Sequence, residues 1–204
     1  MFISFEGIDG SGKSTQARLL AAALRERGRH VVEVREPGGT VLGESLRSIL
    51  LDPSSDLSSQ AEILLFAAAR AQLVSDVIRP QLESGATVIA DRFADSTLAY
   101  QGSGRAAAPI EWLRSLNSFV CGSIQPDMTY LVDVPPAIAK QRMMSRSLDR
   151  MENSDRDFFD RVRTGYLALA NDSPGRVTVV DGQLTPSEIH TQILGTVLGS
   201  TDHA

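Results

Sequence analysis

Gly7-Ile8-Asp9-Gly10-Ser11-Gly12-Lys13-Ser14-Thr15 follows the apolar run Phe2-Ile3-Ser4-Phe5-Glu6 and opens a stretch of helical period reaching Arg27. The string fits G-x-x-x-x-G-K-[ST], and a strand before it with a helix after it is the context in which that pattern holds phosphate. Glycines let the backbone curl until successive amides point at phosphate oxygens, while the helix adds the positive end of its dipole. Lys13 brings a point charge to the outer phosphates, and the Ser14 hydroxyl is placed for magnesium. The motif names no acceptor, because GTPases, motor ATPases, partitioning proteins and small-molecule kinases all carry it. No Asn/Thr-Lys-x-Asp string for guanine recognition occurs in the chain.

Outward from this loop, short apolar runs alternate with longer helical stretches. Strands are predicted near Phe2–Glu6, His30–Arg35, Thr87–Asp91, Met128–Asp133 and Arg176–Val180. Helices are predicted at Lys13–Arg27, Val41–Leu51, Ser59–Leu82, Pro109–Cys121, Pro135–Ser145, Asp155–Ala170 and Ser187–Leu198. The alternation implies an α/β P-loop NTPase-type fold, a five-stranded parallel sheet with helices on both faces. Gly28, Ser84-Gly85 and Thr185-Pro186 supply the punctuation at helix ends.

At 204 residues the chain is expected to form a single domain with at most a small lid. Its 42% hydrophobic and 22% charged residues exclude disordered and disulfide-rich classes, and the lone Cys121 permits no internal disulfide. The net charge of −5 disfavours a general nucleic-acid binder. No apolar run approaches the roughly 18 residues of a membrane span, and Glu6 with the glycine cluster interrupts any signal peptide, so a soluble, cytoplasmic protein is expected.

A second site is expected beside the loop. The strand Thr87-Val88-Ile89-Ala90 ends in Asp91-Arg92, and ligands of open parallel sheets gather beyond the carboxyl ends of strands. Asp91 there suits magnesium or its water shell, and Arg92 suits a second phosphate through its planar fork; a structural ion pair is the alternative. Phe66 and Arg70, four apart, share a helical face. Phe66 by itself reads as core packing, but an arginine on the same apolar stripe requires a partner.

With these segments in view the chain resembles the bacterial thymidylate kinases, which phosphorylate dTMP to dTDP with ATP. The resemblance rests on Phe5–Thr15, Arg35-Glu36-Pro37-Gly38-Gly39-Thr40, Phe66-Ala67-Ala68-Ala69-Arg70, Asp91–Gly102 and Leu131-Val132-Asp133-Val134-Pro135, in the family's order along most of the chain. It implies that ATP lies on Gly7–Thr15 and that Mg2+ is held by Ser14, Asp91 and Asp9. Phe66 would stack on the pyrimidine with Arg70 on its edge, and Arg92 and Arg47 would grip the acceptor phosphate. Thr97 would contact the base, with Ser96 and Gln101 beside it. Tyr100 would crowd the sugar's 2′ position, and Asp9 would sit near the 3′-hydroxyl. Glu36-Pro37 would floor the pocket, although a purely structural turn accounts equally well for Pro37. The resemblance also implies a homodimer, with the Ser59–Leu82 helix as a candidate contact.

The bacterial type carries no arginine in its phosphate loop, and Ile8, Asp9, Gly10 and Ser11 hold the variable positions here. Positive charge then has to come from elsewhere, and Arg142, Arg146 and Arg150 in a lid at about 142–154 are the candidates; their spacing predicts one helical face. The mixed charges of this segment read equally as a solvated surface. In-line transfer to an already ionised phosphate oxygen needs no general base, so catalysis is expected from Lys13, Asp9, magnesium, Arg92 and the lid arginines.

Overall fold

The computed structural model describes residues 1–144, 149–151 and 156–201. Five strands, β1 (Phe2–Glu6), β2 (Val31–Arg35), β3 (Thr87–Asp91), β4 (Met128–Asp133) and β5 (Val177–Asp181), form one parallel sheet in the order β2-β3-β1-β4-β5. The P-loop NTPase-type fold expected from the sequence is therefore present. β1 is central and buried at every residue, which is why it reads as a nearly continuous apolar run.

Alternation along β1 sends Ile3 and Phe5 to one face and Phe2, Ser4 and Glu6 to the other. On the first face, helices α1 (Lys13–Glu26) and α9 (Pro186–Thr201) bury Leu20, Leu24, Ile189, Ile193 and Val197 against Ile3, Phe5, Tyr130 and Val180. The other helices are α2 (Val41–Leu51), α3 (Ser59–Leu73), α4 (Arg79–Glu83), α5 (Ala94–Thr97), α6 (Ile110–Cys121), α7 (Pro136–Met143) and α8 (Arg156–Asp172). On the second face, Leu73, Val74 and Ile78 pack on Phe2, Val88 and Ala90. A larger cluster there joins Leu98, Tyr100, Leu113, Phe158, Val162 and Tyr166 to Leu131 and Val134.

Two helical stretches differ from the sequence reading. The helix expected over Ser59–Leu82 is interrupted by a wide π-type turn at Val74–Ile78. Pro80 has no N–H to offer the carbonyl four residues back, and the Arg79 N–H reaches Val74 O instead. The second stretch carried no helix expectation: Ala94–Thr97 is helical and continues as a π-type segment over Leu98–Gly104. Gly102 and Gly104 hide it from a propensity reading. Close packing explains Gly104, since a Cβ there would lie 2.6 Å from the Val162 side chain of α8.

Candidate active site

The site grows from the carboxyl ends of β1 and β3, which lie side by side with Phe5 opposite Asp91. Beyond β1 the loop turns through left-handed glycines, with φ of 140° at Gly7, 81° at Gly10 and 102° at Gly12. Gly10 also has no room for a side chain, because a Cβ would lie 2.5 Å from Ala139 O. Ser11 N–H donates to Ile8 O (3.2 Å), and Gly12 O receives the N–H groups of Thr15 and Gln16 (both 3.1 Å), which launches α1. Lys13 folds back into the loop, with Nζ 3.5 Å from Ile8 O and 3.5 Å from Asp9 Oδ1. Burial, then the Arg92 charge, push its ammonium below the ordinary lysine range against the pull of Asp9. Ser14 stands exposed in the first turn of α1.

Beyond β3, Arg92 adopts a left-handed backbone (φ 74°) while its N–H donates to Phe5 O at 2.9 Å. This is costly for a side chain with a Cβ and persists only where the surroundings hold it. They do so through the guanidinium: Nη1 donates to Gly7 O (2.9 Å), Tyr166 OH (3.0 Å) and Ser96 Oγ (3.3 Å). Nη2 donates to Asp9 Oδ1 (2.7 Å) and Tyr100 OH (2.8 Å), and the cation lies 4.8 Å from the Tyr100 ring centre. Tyr100 in turn donates to Asp9 Oδ2 at 2.8 Å. Burial works against ionising Asp9, but Arg92 and Lys13 outweigh it and hold the carboxyl well below the usual carboxylate range.

Next to Arg92 opens a cavity that communicates with solvent. Asp9, Glu36, Pro37, Arg47, Phe66, Arg70, Arg92, Ser96, Thr97, Tyr100 and Gln101 all line it, together with Leu51, Asp149 and Met151. Every residue expected on the acceptor side is thus brought to one hollow from five separate stretches of chain. The Glu36-Pro37 peptide is cis. Arg47 donates to Pro37 O at 2.8 Å, which ties α2 to that turn. Arg70 is 2% exposed and fully engaged. Its Nε donates to Glu36 Oε2 (2.8 Å), Nη1 to Thr97 Oγ1 (2.8 Å) and Asn117 Oδ1 (3.0 Å), and Nη2 to Phe93 O (3.2 Å), with Nη2 also 2.7 Å from Glu36 Oε2.

The thymidylate kinase family profile matches residues 5–193, a span that contains both the loop and this cavity. The chain belongs to the thymidylate kinase family. It is 46% identical to the thymidylate kinase of Chlorobaculum tepidum over 97% of this chain and 96% of that protein. It is 45% identical to that of Thermosipho africanus over 95% of each. The crystal structure of thymidylate kinase from Ehrlichia chaffeensis superimposes with a TM-score of 0.79 at 37% identity, covering 97% of this chain and 98% of that one. The activity is that of a thymidylate kinase, phosphoryl transfer to dTMP.

Within this kinase the expected lid arginines part company. Arg142, at the end of α7, donates to Ser11 O (3.2 Å) and Gly182 O (2.9 Å), which places it on the phosphate loop. Arg150 lies on the acceptor side, where Nε donates to Leu50 O (2.8 Å) and Nη2 to Glu62 Oε2 (2.7 Å). The common helical face does not hold for these two, because α7 ends at Met143 and the buried Glu62 carboxylate draws Arg150 to itself. Arg146 lies outside the described residues.

Sequence reasoning missed several participants. Glu62 also accepts from Gln101 (3.0 Å) and Arg105 (2.7 Å), so it joins the cavity to residues 149–151. Its signal was available: an acid four residues before Phe66 falls on the same helical face. Asn117 Oδ1 on Arg70 and Tyr166 on Arg92 had none, since both come from distant helices. Glu6, the only charge in β1, was visible as an anomaly.

Proposed function

We propose that the chain transfers the γ-phosphoryl group of ATP to the 5′-phosphate of dTMP, with ATP on Gly7–Thr15 and dTMP in the cavity beside Arg92. The observation that carries this reading is the convergence of the eleven acceptor-side residues on one hollow that abuts the Lys13 loop through Asp9. The pyrimidine stacks on Phe66, with Thr97, Gln101 and the Arg70 cluster along its edge, and Ser96 and the Glu36-Pro37 turn complete the wall. Tyr100 stands where a 2′-hydroxyl would project. Arg92 and Arg47 receive the acceptor phosphate, and Lys13 with Arg142 carries positive charge on the donor side; Arg146 and Arg150 complete the set. The acceptor phosphate has its second pKa at about 6, so at neutral pH the attacking oxygen is already ionised and alignment with charge stabilisation does the rest.

Magnesium fits the oxygens present. Ser14 is exposed at the loop's end, and Asp91 Oδ1 is buried with no hydrogen-bond partner among the described residues. Ser14 and Asp91 would hold the ion with water and phosphate oxygens completing its shell; Asp9, whose two oxygens are engaged by Arg92 and Tyr100, would act through that shell. When bound, the ion spreads charge over the phosphate oxygens.

The subunit is proposed to pair with a second copy. Ile49 on α2, Leu64 on α3, and Trp112 and Phe119 on α6 are exposed, Phe119 by 87%, which supports an apolar contact across these helices. No helix among the described residues is long and apolar enough to cross a membrane, in keeping with a cytoplasmic enzyme.

The test is ADP release with ATP, magnesium and a panel of nucleoside monophosphates and nucleosides. Rapid turnover should require dTMP. Turnover of thymidine in place of dTMP would point to a nucleoside kinase, and slow hydrolysis indifferent to acceptor would point to a nucleotide switch; either overturns the proposal.

A further inference from the structure

Glu6 ends the central strand, 1% exposed, on the face that carries the acceptor cavity. Its Oε1 accepts the Phe93 N–H at 2.8 Å. Its Oε2 accepts the hydroxyls of Ser96 (2.6 Å) and Tyr166 (2.8 Å). Those two hydroxyl oxygens, 2.8 Å apart, also accept from Arg92 Nη1, which shares its two hydrogens among them and Gly7 O. A hydroxyl has one proton; directed at a carboxylate, that proton leaves only lone pairs for the guanidinium.

We infer that Glu6 is a positioning residue for the acceptor phosphate: as an anion it turns the Ser96 and Tyr166 hydroxyls so that both receive Arg92, and it anchors Phe93 just after the left-handed turn. The inference rests on the reading that Arg92 grips that phosphate. The charged and titratable groups around Glu6 are Asp95 and Arg92 from the segment after β3, Lys13 from α1, Arg70 from α3 and Tyr166 from α8. Burial first, then Asp95, raise the Glu6 carboxyl to about 7, so the anion is present at pH 8.

The test is a cycle of dTMP affinities measured by calorimetry at pH 8. In Glu6→Gln the amide oxygen keeps the Phe93 N–H, while an NH2 donor replaces the carboxylate oxygen that accepted both hydroxyl protons. Ser96 and Tyr166 then lose the acceptor that fixes their lone pairs on Arg92, and dTMP binding should weaken by about tenfold or more. In a Ser96→Ala/Tyr166→Phe background the same Glu6→Gln change should cost less than about threefold, because the groups that relay it are gone. A loss within twofold in the otherwise unaltered chain, or an equal loss in both backgrounds, overturns the inference. Arg92→Ala separates the two readings. If it binds dTMP normally, the phosphate role of Arg92 fails; if it loses binding while Glu6→Gln does not, only the role of Glu6 fails.

Circular dichroism shows whether Glu6→Gln folds, and the unaltered enzyme carries the same test if it does not. Thymidine 5′-sulfate keeps one charge from pH 8 to pH 6, and its affinity should fall by roughly fivefold as Glu6 takes up a proton. The fall should be absent in Ser96→Ala/Tyr166→Phe, and a pH-independent affinity in the unaltered enzyme refutes the role.

Discussion

Replacing Arg70 by Met keeps much of the side-chain volume and removes every donor from a pocket wall that is 2% exposed at this residue and 7% at Glu36. Glu36 would lose its cation while Thr97, Asn117 and Phe93 O lose a donor. Burial already raises the Glu36 carboxyl from its ordinary 4.5, with Arg70 holding it down. Without Arg70 it would fold protonated, and at pH 7 protonating a group of pKa 4.5 costs about 3 kcal/mol. Three acceptors left short of a donor add about 1 kcal/mol or more between them, for a total of about 4 to 5 kcal/mol, in the range for breaking a buried pair. The sign of the pH effect follows. With the folded pKa above 4.5, the variant's deficit is largest at neutral pH and shrinks as pH falls toward 4.5. Urea denaturation at pH 7 and pH 5 should show the penalty dropping by up to about 2 to 3 kcal/mol, less the pH dependence that the raised Glu36 carboxyl already gives the unaltered protein, and Arg70→Met/Glu36→Gln should recover a similar amount at pH 7. A penalty under about 1 kcal/mol, or one identical at the two pH values, would refute the argument that this carboxylate depends on Arg70.

Lys13→Ala and Arg92→Ala should each reduce kcat/KM by about a hundredfold or more while circular dichroism shows a folded protein; near-normal kinetics for both would remove the site assignment. Tyr100→Ala should lower the preference of kcat/KM for dTMP over its ribonucleotide counterpart by about tenfold, and an unchanged ratio would take the sugar role from Tyr100. Cys121 is buried, and burial pushes its thiol up to about 11, so iodoacetamide at pH 8 should label the native chain far more slowly than the chain in urea.

What was legible in the sequence had local causes. The loop Gly7–Thr15 needs glycines at left-handed positions, and each strand announces itself through apolar residues at the sheet's centre. The residues of the proposed acceptor pocket were reached through resemblance, with one physical cue of their own, an arginine on an apolar helical face. The rest depends on contacts between distant parts of the chain. Nothing in the spacing of Arg142 and Arg150 shows that one would settle on loop carbonyls and the other on Glu62, because the choice is made by a carboxylate some ninety residues away. The π-type segment Leu98–Gly104 was equally hidden, since its glycines lower helix propensity and only the close approach of α8 explains them. Glu6 and Glu62 were readable as charges on buried faces, and the same reasoning applied to Arg70 extends to both.

The full engagement of Arg70 has an energetic corollary. A long, floppy side chain has surrendered its rotamer freedom to the folded protein before any nucleotide arrives, so docking need not pay that entropy again. On the proposed placement of dTMP, the thymine would meet a wall already set, with selectivity for it drawn from shape and polarity cast in advance rather than from adjustment after contact.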